Sequence, residues 1–230
     1  MRATLQVMAL HPEAIEEVLI DENVVETELL DGRKLRRLTA AQLKSISSFS
    51  APSGIIALVR IPDDVYASSL PVNAGKRVIV LEDVQDPGNI GTLIRSAAAF
   101  DCDGVLMSRQ CADPFSPKAV QASAGAVMVP WIRRCDSFID VIGELKRTGF
   151  SLYCADVRGE PSMDFGAADR TAFVFGNEGA GVSSRVAAMA DRTFSVPMNS
   201  GAVESLNVAI CGAITMFFAY TKWIPNRDPV

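Results

Sequence analysis

From residue 76 onward the chain alternates short apolar runs with amphipathic stretches. The runs at 78–81, 104–107, 127–129, 152–155, 172–175 and 194–196 are rich in β-branched and aromatic residues and bounded by turn residues, which predicts strands. Between and after them, 90–100, 116–122, 138–147, 183–190 and 204–220 carry helical patterns. Apolar strands separated by helices predict an α/β domain, a mostly parallel sheet with helices on both faces.

The first 62 residues have a different texture and predict a small α+β unit. A short helix is expected over 12–20, with acidic residues in its first turn where the helix dipole favours them. A strand is expected over 24–29, a turn at Asp31 and Gly32, a helix over 38–46 with Thr39 as cap, and a strand over 55–59. The stretch 61–75, I-P-D-D-V-Y-A-S-S-L-P-V-N-A-G, has two prolines, paired aspartates and no apolar period, so it reads as a linker. The predicted organisation is a small domain over 1–62, a linker over 63–75 and a larger domain over 76–230.

Composition narrows the chemistry. The chain of 230 residues is 49% hydrophobic, yet no stretch has the long uncharged run of a membrane span. The N-terminus lacks a secretory cleavage pattern, so a soluble, cytoplasmic protein with no membrane partner is expected. Five cysteines at 102, 111, 135, 154 and 211 form no C-x-x-C pair, and His11 is the sole histidine. Ser-His-Asp and Cys-His catalysis are excluded, and a metal site or disulfide framework is not expected. The net charge of −5 argues against a nonspecific nucleic-acid coat, but leaves local basic faces open. The runs Arg33, Lys34, Arg36, Arg37 and Arg133, Arg134 are candidates, with a solvated surface as the alternative.

Three turns that join a strand to a helix carry the candidate chemistry. In 81–96, L-E-D-V-Q-D-P-G-N-I-G-T-L-I-R-S, Asn89 is the expected N-cap, and Arg95 follows six residues later on an Ala-rich helix. Its fork suits a phosphate or carboxylate, or a surface ion pair. In 173–183, F-V-F-G-N-E-G-A-G-V-S, the glycines have neither phosphate-loop spacing, and Glu178 would repel a phosphate. A neutral or cationic ligand, or a fixed structural hydrogen bond, suits that carboxylate better. In 193–220 a short strand turns through Pro197 to Gly201 into an apolar helix whose first turn is expected to hold Glu204, Ser205 and Asn207. Such a start is either a cap or a ligand site. None of the turns pairs a nucleophile with a base, which favours transfer of a group already activated on a cofactor.

Taken in order, D-P-G-N-I-G-T-L-I-R-S-A, F-G-N-E-G-A-G-V-S and V-P-M-N-S-G-A-V-E-S-L-N-V-A resemble the three motifs of the SpoU/TrmH branch of the SPOUT RNA methyltransferases. The likeness covers about 76–222, and 12–60 is similar to the later part of the small ribosomal-protein-like domain that binds substrate in many relatives. A shortened N-terminal RNA-binding domain is expected. The resemblance implies a C-terminal trefoil knot, a homodimer, and S-adenosyl-L-methionine as cofactor. The implied reaction is methylation of a ribose 2′-hydroxyl in ribosomal or transfer RNA. It implies catalytic or site-forming roles for Asn89, Arg95, Glu178, Ser205 and Asn207. It implies cofactor contacts from Ala155, Gly176, Asn177, Gly179, Val196, Pro197, Met198, Ser205 and Leu206. Arg95 would stabilise the oxygen that receives the methyl, since a guanidinium is a fixed cation. A knotted RNA-binding protein without catalysis is the rival reading, and a nicotinamide enzyme is disfavoured by the missing dinucleotide fingerprint.

Overall fold

A computed structural model of the chain describes residues 2–24, 30, 32–47, 54–166 and 168–223. Helix α1 (Arg2–Leu10), which the sequence pattern did not predict, leads through a 3-10 turn at Pro12–Ala14 into strand β1 (Ile15–Asp21). The helix expected over 12–20 is thus mostly a strand. Pro12 and Glu13 do begin a helical turn, but β1 is the middle strand of a three-stranded sheet. It pairs in parallel with β2 (Leu35–Leu38) and antiparallel with β3 (Ile55–Val59). Val18 and Ile20 pack with Met8, Leu30 and Ile55, and that burial outweighs a weak helix-start signal. Helix α2 (Ala40–Ile46) begins at a capping box: the Gln42 N–H donates to Thr39 Oγ1 and the Thr39 N–H to Gln42 Oε1. Apart from Val24, the strand expected over 24–29 lies outside the described residues, as does Asp31 of the expected turn.

The stretch read as a linker is tied down. A 3-10 turn at Asp63–Tyr66 buries Val65, and Asp64 accepts a 2.6 Å charged hydrogen bond from Arg133, which is 4% exposed. Farther on, the Leu70 N–H donates to Glu144 Oε2 and the Trp131 indole to the Ala74 carbonyl. Arg133 is therefore no part of a basic surface.

The larger sheet is built from β4 (Arg77–Leu81), β5 (Gly104–Ser108), β6 (Trp131–Cys135), β7 (Ser151–Pro161), β8 (Thr171–Phe175) and β9 (Arg192–Ser195). Its order is β6-β5-β4-β8-β7-β9 and every neighbouring pair is parallel. The run 127–129, expected as a strand, is a 3-10 turn; the strand lies just beyond it as W-I-R-R-C. Alternate strand residues divide between two cores, as a period of two requires. Ile79, Leu81, Phe173 and Phe175 face α3 (Pro87–Ala99) and α7 (Val208–Trp223), whereas Val78, Val80, Ala172 and Val174 face α5 (Phe138–Arg147) and α6 (Ser184–Ala187). Helix α4 (Pro117–Ser123) lies beside α3. Helices cover both faces, as predicted. No described helix is long and apolar enough to cross a membrane.

Candidate active site

The chain runs outward from β4 to β6 and then returns on the far side through β7 to β8, so β4 and β8 meet where the strand order reverses. Parallel sheets bind ligands beyond the carboxyl ends of strands near such a point. A cavity of about 580 Å³ lies to one side of that point, beyond β8, β7 and β9, walled by Ala155 to Arg158 of β7, the Gly-rich turn after β8, the chain after β9, and the start of α7.

Bare backbone makes much of that wall. Gly176 and Gly181 bring the two limbs of the turn into contact, with Asn177 and Gly181 exchanging N–H···O bonds at 3.1 and 2.9 Å. A Cβ on Gly176 would strike the Gly181 carbonyl, and Gly181 has a φ of +70°. The Asn177 side chain locks the tip: its Oδ1 accepts from the Gly179 and Ala180 N–H groups, and its Nδ2 donates to the Asp83 carbonyl.

Glu178 joins the three motif segments. Its carboxylate accepts from Asn89 Nδ2 at 2.9 Å and from the Gln85 and Asp86 N–H groups at 3.1 Å. Asn207 Nδ2 donates in turn to Asn89 Oδ1 at 3.0 Å, and Asn207 Oδ1 caps α7 through the Ala209 and Ile210 N–H groups. Burial pushes the Glu178 carboxyl up, but the bonds from Asn89, Gln85 and Asp86 outweigh it and hold the group below its ordinary value.

All predicted cofactor residues line the cavity except Pro197, which sits between the lining residues Val196 and Met198. Glu178, Ser205 and Asn207 line it too, whereas Asn89 stands behind them in the hydrogen-bond chain. Two local expectations are corrected. The N-cap of α3 is Asp86, whose carboxylate accepts from the Gly88 and Asn89 N–H groups; Asn89 lies within the first turn because Pro87 occupies N1. Helix α7 starts at Val208, so Glu204 and Ser205 precede it rather than occupying its first turn. Arg95 lies on the exposed face of α3, outside the cavity lining, and makes no hydrogen bond or ion pair among the described residues.

Sequence reasoning missed Asp156, Arg158 and Cys211 in the wall. Asp156 and Arg158 form a bidentate pair at 2.8 and 3.1 Å on the polar continuation of β7, beyond the apolar run that marked the strand. Burial pushes the Cys211 thiol up to about 11, so it is a neutral wall rather than a nucleophile. The first basic run is a solvated surface, as one reading of the sequence had it, with Lys34 and Arg36 70 and 60% exposed, whereas the second is drawn into the fold. Arg36 and Lys34 converge on Glu17, Arg33 and Arg37 donate to backbone carbonyls, and Arg134 donates to the Cys111 carbonyl.

Comparisons with known proteins agree with this geometry. Residues 76–217 match the SpoU rRNA Methylase family. The chain is 31% identical over 210 residues to the Bacillus subtilis 23S rRNA (guanosine(2553)-2′-O)-methyltransferase RlmP, covering 90% of this chain and 81% of that one. It is 31% identical over 183 residues to the Streptomyces viridochromogenes 23S rRNA (uridine(2479)-2′-O)-methyltransferase, covering 77% of this chain and 63% of that one. Among solved structures, the SpoU methyltransferase AviRb from Streptomyces viridochromogenes, in complex with AdoMet, superposes with a TM-score of 0.81. It is 25% identical, and the match covers 99% of this chain and 90% of AviRb.

Proposed function

The chain belongs to the SpoU rRNA methylase family, and on that premise we propose that it is an S-adenosylmethionine-dependent methyltransferase acting on a ribose 2′-hydroxyl of RNA. The observation that carries the reading is the convergence of all three motif segments on one cavity through Asn89, Glu178 and Asn207. Ribosomal RNA is the favoured substrate, because the Bacillus and Streptomyces relatives are both named for 23S rRNA. The reaction belongs in the cytoplasm, where that RNA is.

The cavity fits the cofactor. Its volume of about 580 Å³ suits a ligand of nucleoside-plus-amino-acid size. Backbone around Gly176, Val196, Met198 and Leu206 offers polar groups to an adenosine, and at Gly181 a Cβ would meet nothing within 4 Å, so a ligand can approach bare main chain. Arg158 is neutralised by Asp156, leaving Glu178 and Glu204 to give the wall a negative character that suits a sulfonium. When bound, the cofactor supplies a methyl group already activated towards nucleophilic attack.

The residues then have to orient the ribose and stabilise charge. Ser205 and Asn207, at the mouth of α7, would hold the ribose with a hydroxyl and an amide. Arg95, without a partner among the described residues, is exposed on α3 to meet the RNA, where a guanidinium stabilises the oxygen as its proton passes to water and grips the adjacent phosphate. The exposure of Arg95 fits a site completed by RNA and by a second subunit. Helix α7 is apolar on all sides, with Ala209, Met216 and Ala219 buried and Ile210, Phe217 and Phe218 exposed at 51, 48 and 44%. We read this outer face as the homodimer contact. The N-terminal unit serves as the RNA-binding domain, and the trefoil knot belongs to the segment that carries β9 and α7.

Incubation of 23S and transfer RNA with methyl-labelled cofactor tests the reading. Label resistant to alkaline cleavage at one ribose is expected in 23S rRNA; label confined to transfer RNA would move the substrate, and label on a base would overturn the 2′-O assignment. Arg95→Ala should lower turnover by about 10²-fold or more while changing cofactor affinity less than about twofold. A variant that kept most of its turnover would remove Arg95 from the chemistry.

A further inference from the structure

At the end of β4 the chain reaches Glu82, which is 9% exposed, and then Asp83, whose φ is +55°. The left-handed backbone at Asp83 is held by a Ser108 clasp: the Asp83 N–H donates to Ser108 Oγ at 2.9 Å and Ser108 Oγ to Asp83 Oδ1 at 2.6 Å. This turn sends successive groups to different parts of the Gly-rich loop. The Asp83 carbonyl receives Asn177 on the loop's entry limb, and the Gln85 and Asp86 N–H groups hold Glu178 at its tip. The exit limb is held by Glu82 itself. Its Oε2 accepts from the Ser183 N–H at 2.7 Å and its Oε1 from Ser183 Oγ at 2.7 Å. Ser183 Oγ accepts in turn from the Val186 N–H and so caps α6.

Val182, the residue before Ser183, lies in the cavity wall next to Gly181. The two short bonds to Ser183 thus fix where the wall's exit limb stands relative to the sheet. The carboxyl group is largely withdrawn from water and both of its oxygens are engaged by Ser183, so the two short bonds are strong and directional. We infer that Glu82 is a positioning residue for the cofactor, acting through Ser183 to hold the 181–183 limb in its binding shape without touching the reacting atoms. The inference rests on the cavity being the S-adenosylmethionine site.

Glu82→Gln is nearly isosteric but gives up the carboxylate: its oxygen can keep the Ser183 N–H bond, while its NH2 can meet Ser183 Oγ only if that hydroxyl turns round to accept a second bond beside the one from the Val186 N–H. We expect the Kd and KM for S-adenosylmethionine to rise about tenfold, with kcat at saturating cofactor and RNA falling less than about twofold. Ser183→Ala keeps the N–H bond and should give a smaller rise. The double variant should bind no more weakly than Glu82→Gln alone, because both act through one contact. Titration calorimetry of the wild type with S-adenosylmethionine comes first: no binding there overturns the cofactor reading. Wild-type binding with an unchanged Kd in Glu82→Gln overturns only the positioning role, as does a kcat loss at unchanged Kd. If Glu82→Gln fails to fold, the same comparison on Ser183→Ala decides, and an unchanged Kd there also overturns the role.

Discussion

Glu178 Oε1 accepts from both Asn89 and Asp86, and Oε2 from Gln85, so one carboxylate ties the tip of the Gly-rich loop to the start of α3. Glu178→Gln leaves at least one backbone donor facing an NH2 group, and because the site is open to water a cost of about 0.5–1 kcal/mol in stability is expected by thermal or urea unfolding. The charge dependence has a definite sign. Burial raises the carboxyl and the three donors lower it further than burial raises it, so the folded-state value lies beneath the ordinary 4.5. The stabilisation is complete above 4.5 and is lost as pH falls through the folded-state value. The stability gap between wild type and Glu178→Gln should therefore shrink as the pH is taken from neutral to below 4.5. A gap that does not change with pH would show that geometry, not charge, sets the cost. At this scale Glu178, Ser205, Asn207 and the glycines of the turn after β8 were legible as polar or bare positions following apolar strands, whereas Ala155, Val196, Met198 and Leu206 were reached only through the resemblance to the three motifs. Asp156 and Arg158 were not legible, because they satisfy each other and look like any surface pair.

Elements were legible where burial and period agree. In the larger domain the strands β4, β5 and β8 are short apolar runs, and each was found to within a residue or two; β9, R-T-F-S, was found within two residues from the apolar positions around Phe194. β6 escaped because Arg133 and Arg134 sit in it; Arg133 is buried only because Asp64 from the preceding stretch neutralises it, a partner 69 positions away that no local pattern reveals. β1 escaped because pairing on both edges is a tertiary fact, while Pro12 and Glu13 signal a helix locally. The same tertiary logic concentrates stability in the aromatic group beneath β8. Phe173 is 1% exposed and its ring lies 4.7 Å from Phe165 and 5.8 Å from Tyr153. Phe173→Ala should cost about 3–5 kcal/mol, seen as a lower denaturant midpoint with an unchanged slope. A loss below about 1 kcal/mol would mean that the neighbouring rings collapse into the space.

For the whole molecule, the outward residues of α7 decide the assembly. Replacing both Phe217 and Phe218 by Asp should convert the proposed dimer into a monomer by light scattering, with a fall in methyl transfer, because an apolar contact of this kind tolerates no unpaired charge. A monomeric wild type would overturn the dimer. The cavity holds a further consequence, because its wall draws on residues from Ala155 to Cys211 and on no residue before them. A ribosome adds residues in chain order, so the N-terminal unit and the strands up to β6 exist as polypeptide well before this cavity does. Nascent chains interrupted before α7 lack Val208 and Cys211 of the wall, so cofactor capture has to wait for that helix to be made.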